Sequence, residues 1–136
     1  MNTSMKTLIV SLLFTSATAL MAQDGVSRKY HHDGSVKTEY VITGDLVTFS
    51  TYSTDGTLQE KGAYLAGKPH GDWQQFNAQG DVTIQGTFSH GLRTGQWSFL
   101  QPNGKKAMEL QYADGLLVSG EQFDEQGALI AVKGQR

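Results

Sequence analysis

The sequence predicts an all-β protein: a single-layer, elongated antiparallel meander of stacked β-hairpins. Three observations carry that expectation. Glycines and aromatic residues recur at a fixed interval of 24 residues, hairpin-turn signals punctuate the chain, and apolar residues alternate with polar ones between the turns.

The interval is plainest in two stretches, Gly62 to Trp73 ("GAYLAGKPHGDW") and Gly86 to Trp97 ("GTFSHGLRTGQW"), which share G-x-aromatic-x-x-G-x-x-x-G-x-W. Tyr40, Tyr64, Phe88 and Tyr112 stand 24 apart, as do Phe49, Trp73 and Trp97, and Gly67, Gly91 and Gly115. Gly56, Gly80 and Gly104 keep the same step, whereas Gly34 stands 22 before Gly56 and Gly127 comes one residue early. Irregular ends suit a repeat array, because terminal units cap the stack.

Taken in chain order, residues 1–22 read as a secretory signal: one Lys, an apolar-rich run from Leu8 to Phe14, then small residues, with cleavage expected after Ala22. A membrane span needs about 20 apolar residues, more than this segment holds. The mature chain would have 136 − 22 = 114 residues and, with Lys6 removed, 10 basic against 13 acidic residues. Residues 23–39 read as an N-terminal capping hairpin, 40–127 as the repeats, and 128–136 as a C-terminal strand and tail.

Each repeat has two kinds of turn. "HHDG", "STDG", "NAQG", "QPNG" and "DEQG" end at Gly34, Gly56, Gly80, Gly104 and Gly127. Asp or Asn ahead of Gly is a hairpin signal, since glycine takes positive φ without a Cβ penalty. "GKPHG" (Gly67 to Gly71) and "GLRTG" (Gly91 to Gly95) are expected to be tight five-residue reversals. Between turns the period is two: Val82, Ile84, Gly86 and Phe88 alternate with Thr83, Gln85 and Thr87. About ten strands follow, spaced about 4.8 Å apart, so the array extends roughly 45 Å. A three-residue turn at Ala78–Gly80 places Phe76 opposite Val82 and sends Trp73 to the other face. A one-residue slip would instead lay Trp73 across Gly86.

These residues resemble the MORN repeat, and more closely the bacterial MORN-variant repeat proteins labelled antitoxin-like. The matching positions are Gly62, Tyr64, Gly67 and Gly71, then Gly86, Phe88, Gly91 and Gly95, with His70-Gly71 as the family's His-Gly pair. The resemblance covers about Tyr40 to Gly127. It departs from the standard motif at Trp73 and Trp97, where a further glycine is usual, and the last unit has Glu121 at the Trp position with Gly120 shifted by one. It implies a twisted sheet used as a scaffold or interaction module, with lipid binding proposed for some members. The antitoxin label implies a cytoplasmic partner, whereas the leader points to the periplasm or the extracellular space.

Chemistry is not expected. There is no Cys, so no disulfide, thiolate metal site or lipidated Cys is available. Eleven basic against 13 acidic residues give no nucleic-acid footprint. Adjacent His31 and His32 would point to opposite faces, and His70 and His90 lie in successive loops without a matching carboxylate, so no metal site is expected. Asp33, Asp55 and Asp124 sit in or beside turns, where they bond the local backbone. No Gly-x-Ser-x-Gly elbow or Gly-Lys-Ser/Thr phosphate loop is present. No catalytic residue and no cofactor are therefore expected.

The aromatic residues remain as binding candidates: Tyr40, Tyr64, Phe88 and Tyr112 in one ladder, and Phe49, Trp73 and Trp97 in a second. A single-layer sheet has no second layer over its apolar face, so it must curl, dimerise or receive a partner. The expected function is an exported, non-enzymatic protein-interaction module. A glycan or cell-envelope surface stacked on the aromatic ladder, and peripheral lipid binding, are the alternatives. Self-association through an edge strand is a further expectation.

Overall fold

The computed structural model describes residues 24–134. The leader expected over residues 1–22, with its helix, lies outside the described residues. Eleven strands follow: β1 (Gly25–Tyr30), β2 (Val36–Thr43), β3 (Leu46–Tyr52), β4 (Leu58–Leu65), β5 (Lys68–Pro69), β6 (Gly71–Phe76), β7 (Val82–Ser89), β8 (Leu92–Leu100), β9 (Lys106–Ala113), β10 (Leu116–Phe123) and β11 (Leu129–Gly134). They form one open antiparallel sheet in the order β1-β2-β3-β4-β6-β7-β8-β9-β10-β11, with the two-residue β5 beside β4. No helix occurs among the described residues.

Two turn types alternate along the meander. At Asn77–Asp81 the Asn77 N–H donates to the Asp81 carbonyl (2.9 Å) and Gly80 N–H donates to the Asn77 carbonyl (3.0 Å). This is the expected three-residue turn, and Phe76 pairs with Val82 beyond it. The same pair of bonds closes His31–Ser35, Ser53–Thr57, Gln101–Lys105 and Asp124–Ala128. Side chains reinforce these turns: Asp33 Oδ1 accepts from Ser35 N–H, Asn103 Oδ1 from Lys105 N–H and Asp124 Oδ1 from Gln126 N–H, each at 2.9 Å.

The second turn is not the five-residue reversal expected over Gly67–Gly71 and Gly91–Gly95. The chain reverses in two residues, Ala66-Gly67, His90-Gly91 and Asp114-Gly115, each with positive φ at both corners. That is the type I′ geometry, whose twist matches the strands it joins. Gly71 (φ +80°) and Gly95 (φ +63°) lie after the reversal, at strand irregularities.

Those irregularities set the repeat length. Tyr64 pairs with Pro69 and Lys61 with Gln74, so two extra residues sit on the β5–β6 side. Thr87 pairs with Thr94 and Gln85 with Ser98, again two extra residues, on β8. Leu117 pairs with Tyr112 and Ser119 with Gln111, one extra residue on β10, while β2 and β3 pair without a break. A bulge-free unit therefore spans the 22 residues from Gly34 to Gly56. Bulges of two, two and one lengthen the next units to 24, 24 and 23.

The turn carboxylates carry a pH dependence. The Ser53 hydroxyl, then the Thr57 N–H and hydroxyl, hold Asp55 down from 3.8 to about 2. The Ser35 hydroxyl and N–H likewise hold Asp33 below its ordinary value. A lowered folded-state value contributes stability above the ordinary carboxylate range, and that stability is lost as pH falls from about 4 towards 2. In Asp55→Asn the amide oxygen should keep the turn, as Asn103 does in its own. We expect the wild type to lose more melting temperature than Asp55→Asn between those pH values.

Candidate functional site

Strand pairing places Tyr40, Phe49, Gly62, Tyr64, Trp73, Gly86, Phe88, Trp97, Leu110 and Tyr112 on one face. The two expected ladders merge there into a single interleaved one. Ring centroids step from Phe49 to Trp73 (4.9 Å), Trp73 to Phe88 (5.2 Å), Phe88 to Trp97 (5.0 Å) and Trp97 to Tyr112 (6.4 Å), all edge to face. Tyr64 joins at 5.6 Å from both Phe49 and Trp73. Such pairs each contribute about 0.5–1.5 kcal/mol beyond burial.

Tyr40 falls outside this run. It pairs directly with Phe49, in the row of Gly62 and Gly86, and the Tyr64 row is continued instead by Ile42, since both pair with Val47. The first unit lacks the bulge, so a 24-residue step counted back from Tyr64 overshoots by two.

The glycines of the motif seat the tryptophans. Trp73 pairs with Gly86, but its indole leans back over Gly62, where a Cβ would lie 2.6 Å from the ring. Trp97 leans over Gly86, where a Cβ would lie 2.1 Å away. Phe76 opposite Val82 and Trp73 opposite Gly86, alternatives at the sequence level, coexist through a bulge at Gln75/Phe76. Trp73 Nε1–H donates to Glu60 Oε1 (2.6 Å) and Trp97 Nε1–H to the Thr87 carbonyl (3.2 Å). Arg93 lies over Trp97 (4.7 Å) and Tyr112 (5.5 Å), and Lys29 over Tyr40 (5.5 Å).

Phe49 (7% exposed) and Trp97 (3%) are buried, and Tyr64, Trp73, Phe88 and Tyr112 are half-buried. The ladder's rings meet edge to face, so they pack one another rather than offering a row of parallel platforms. The opposite face is polar, with Asp72, Gln74, Gln85, Thr87, Gln96 and Ser98 around an open hollow of about 350 Å³.

His70 and His90 do come together, 4.7 Å between ring centroids, but His70 Nδ1 already accepts the His90 N–H (3.2 Å). His31 Nε2–H donates to the Tyr52 carbonyl (2.8 Å), which ties the first turn to the next strand. Among the described residues no group of three His, Cys, Asp or Glu side chains could hold a metal ion. The turn glycines Gly34, Gly56, Gly80, Gly104 and Gly127 all sit in the three-residue turns at φ +81° to +87°.

Sequence reasoning missed the C-terminal end of the ladder. Gly120 takes the Trp row there and pairs with Lys133, while Glu121 turns to the other face opposite Glu109. The shift follows from the one-residue bulge. Its signal was the 24-residue row Gly62, Gly86, Leu110, which ends in a large residue.

No protein-family model matches the chain, and no curated protein does. Among solved structures the chain is similar to TarM, at 16% identity and a TM-score of 0.46 over 65% of this chain and 18% of that one. A TarM mutant of S. aureus in complex with fondaparinux, alpha-GlcNAc-glycerol and UDP matches at 14% identity and 0.39, over 72% and 18%. A GtfA/B complex matches at 12% and 0.46, over 85% and 22%. The chain thus spans about a fifth of each of those proteins, and likenesses this slight carry no argument about function.

The ladder geometry yields a stability test. Gly86→Ala must displace the Trp97 ring, and we expect a loss of about 1–3 kcal/mol in urea denaturation. Gly134→Ala, where a Cβ meets nothing within 4 Å, should be neutral.

Proposed function

We propose that the chain is an exported, non-enzymatic, MORN-like repeat protein that acts as a protein-interaction module, with its contact surface on the C-terminal hairpin β10–β11. One observation carries this reading. Of eleven widely exposed large apolar side chains among the described residues, six lie on that hairpin: Leu116, Leu117, Val118, Leu129, Ile130 and Val132. Leu116 is 72% and Val132 63% exposed. The six are spread over both faces, Leu117 beside Tyr112 and Val132 beside Glu121, and exposed apolar side chains gathered on one hairpin favour a contact there.

The interior strands β3 to β8 contribute only Leu46 and Leu92 to that set. The ladder that a glycan would stack on is instead packed against itself, which favours the protein-contact reading over the carbohydrate one.

The test is capture of partners by the mature chain from its own envelope fraction. Leu116→Ser/Ile130→Ser/Val132→Ser should lose the specific partner while keeping the wild-type circular dichroism spectrum. Val26→Ser/Val41→Ser, at the other end of the sheet, should retain it. Equal capture by both variants would overturn the placement.

A further inference from the structure

The residue four positions before each three-residue turn forms one structural row: Phe49, Trp73, Trp97 and Gly120. In the second and third hairpins the indole of this row rests on a bare glycine of the preceding strand, Trp73 on Gly62 and Trp97 on Gly86. In the last unit large and small are exchanged. Leu110 stands where the glycine would be, and Gly120 where the tryptophan would be. Leu110 leans over Gly120, and a Cβ there would lie 2.9 Å from Leu110 Cδ2.

A leucine side chain does not fill the space of an indole. The exchange leaves an apolar slot of about 190 Å³ over Gly120, walled by Met108, Leu110, Leu117 and Ala131, with Lys133 beside it. Leu117 pairs with Tyr112, the last ring of the ladder, so the slot adjoins the end of the aromatic run.

We propose that this slot receives an aromatic side chain, a tryptophan in the first instance, from a partner protein docking on the C-terminal hairpin. The inference rests on the protein-contact reading above and names its anchor. Three observations point to a ring. The two preceding units hold an indole in this row. The slot's walls are mostly apolar, with Glu121 and Gln122 also lining it, and it stands on the hairpin that carries most of the widely exposed apolar side chains. Lys133 lines it, and elsewhere on the same face a cation already lies over a ring, Lys29 over Tyr40 and Arg93 over Trp97. Aromatic anchors seated in small apolar pockets are the usual centres of binding energy at protein contacts.

A second copy of the chain is the competing occupant, because Tyr30 is the one aromatic residue among the widely exposed large apolar side chains (59%). It is a weaker fit. Tyr30 sits on β1 directly before a turn. In a head-to-tail continuation of the array the residue in the tryptophan row would be Ser27, four before His31, and not a ring.

The experiment titrates the intact chain with N-acetyl-tryptophanamide and follows the methyl signals of Met108, Leu110, Leu117 and Ala131 by NMR. N-acetyl-leucinamide serves as the ring-free control. Saturable shifts confined to those methyls, at least about tenfold weaker with the leucine compound, are expected. Two variants close the slot from different sides. Leu110→Gly/Gly120→Trp rebuilds the third rung, and Ala131→Phe fills the slot from the exposed edge strand; each should abolish the shifts. No saturable shift, equal binding of the leucine compound, or shifts that survive in Ala131→Phe would overturn the proposal. So would a dimer in sedimentation that Tyr30→Ala dissolves. A natural partner that binds the hairpin but is indifferent to Ala131→Phe would overturn the slot and leave the protein-contact reading standing.

Discussion

An indole laid on a bare glycine of the neighbouring strand is the contact on which this sheet depends. A single layer has nothing to pack its apolar face against. Trp73 on Gly62 and Trp97 on Gly86 solve that within the layer: the ring covers backbone that would otherwise face water, and its edges meet Tyr64, Phe88 and Tyr112. Burying one such ring is worth about 1.5–3 kcal/mol. Phe49 and Trp97 are the only large apolar side chains less than a tenth exposed among the described residues, so stability is handed from strand to strand rather than held in a central core.

That contact also explains the bulges. An unbroken pairing would hold each tryptophan level with its cross-strand neighbours. Two extra residues in β5–β6, and two in β8, accompany the positions where the ring leans back over the preceding strand. Where no ring leans back over a glycine, at β2–β3, the bulge is absent and the unit shortens to 22 residues. Where the tryptophan is replaced by Gly120, only one extra residue remains. Repeat length thus tracks the presence of the indole.

This separates what the sequence could reveal from what it could not. The strands and three-residue turns were legible because they rest on local chemistry: alternation, and Asp or Asn near a glycine. The type I′ turns were hidden because Ala66 and His90 occupy corners with positive φ, where neither residue type announces itself. The merging of two ladders into one was hidden for a different reason. A 24-residue period fixes which residues are equivalent but not how equivalent rows interleave, and interleaving depends on the bulges. Tyr40 shows the cost of reading the period alone, since the bulge-free first unit puts it two positions away from the Tyr64 row. The recurrence of the rings from Phe49 to Tyr112 could be read from spacing, but their edge-to-face packing on one another could not.

The two ends of the array are finished differently, and the difference bears on function. At the N-terminal end Lys29 sits over Tyr40 and puts a charge on the edge strand that discourages edge pairing. Lys133 takes the corresponding place on β11, opposite Gly120. Between Lys133 and the last ring, Tyr112, lies the unit in which the indole has been lost. In that unit a leucine over a glycine buries less than an indole does. That unit is also where exposed apolar surface accumulates. Without a ring there, Met108, Leu117 and Ala131 have less cover, while Gln101, Asn103 and Lys105 still tie the last turn to the preceding one through the Asp124, Glu125 and Gln126 carbonyls. A repeat array opens from its ends. The end with room for a partner's side chain is therefore also one that a partner would order, since cover supplied from outside replaces the rung that the chain does not supply itself.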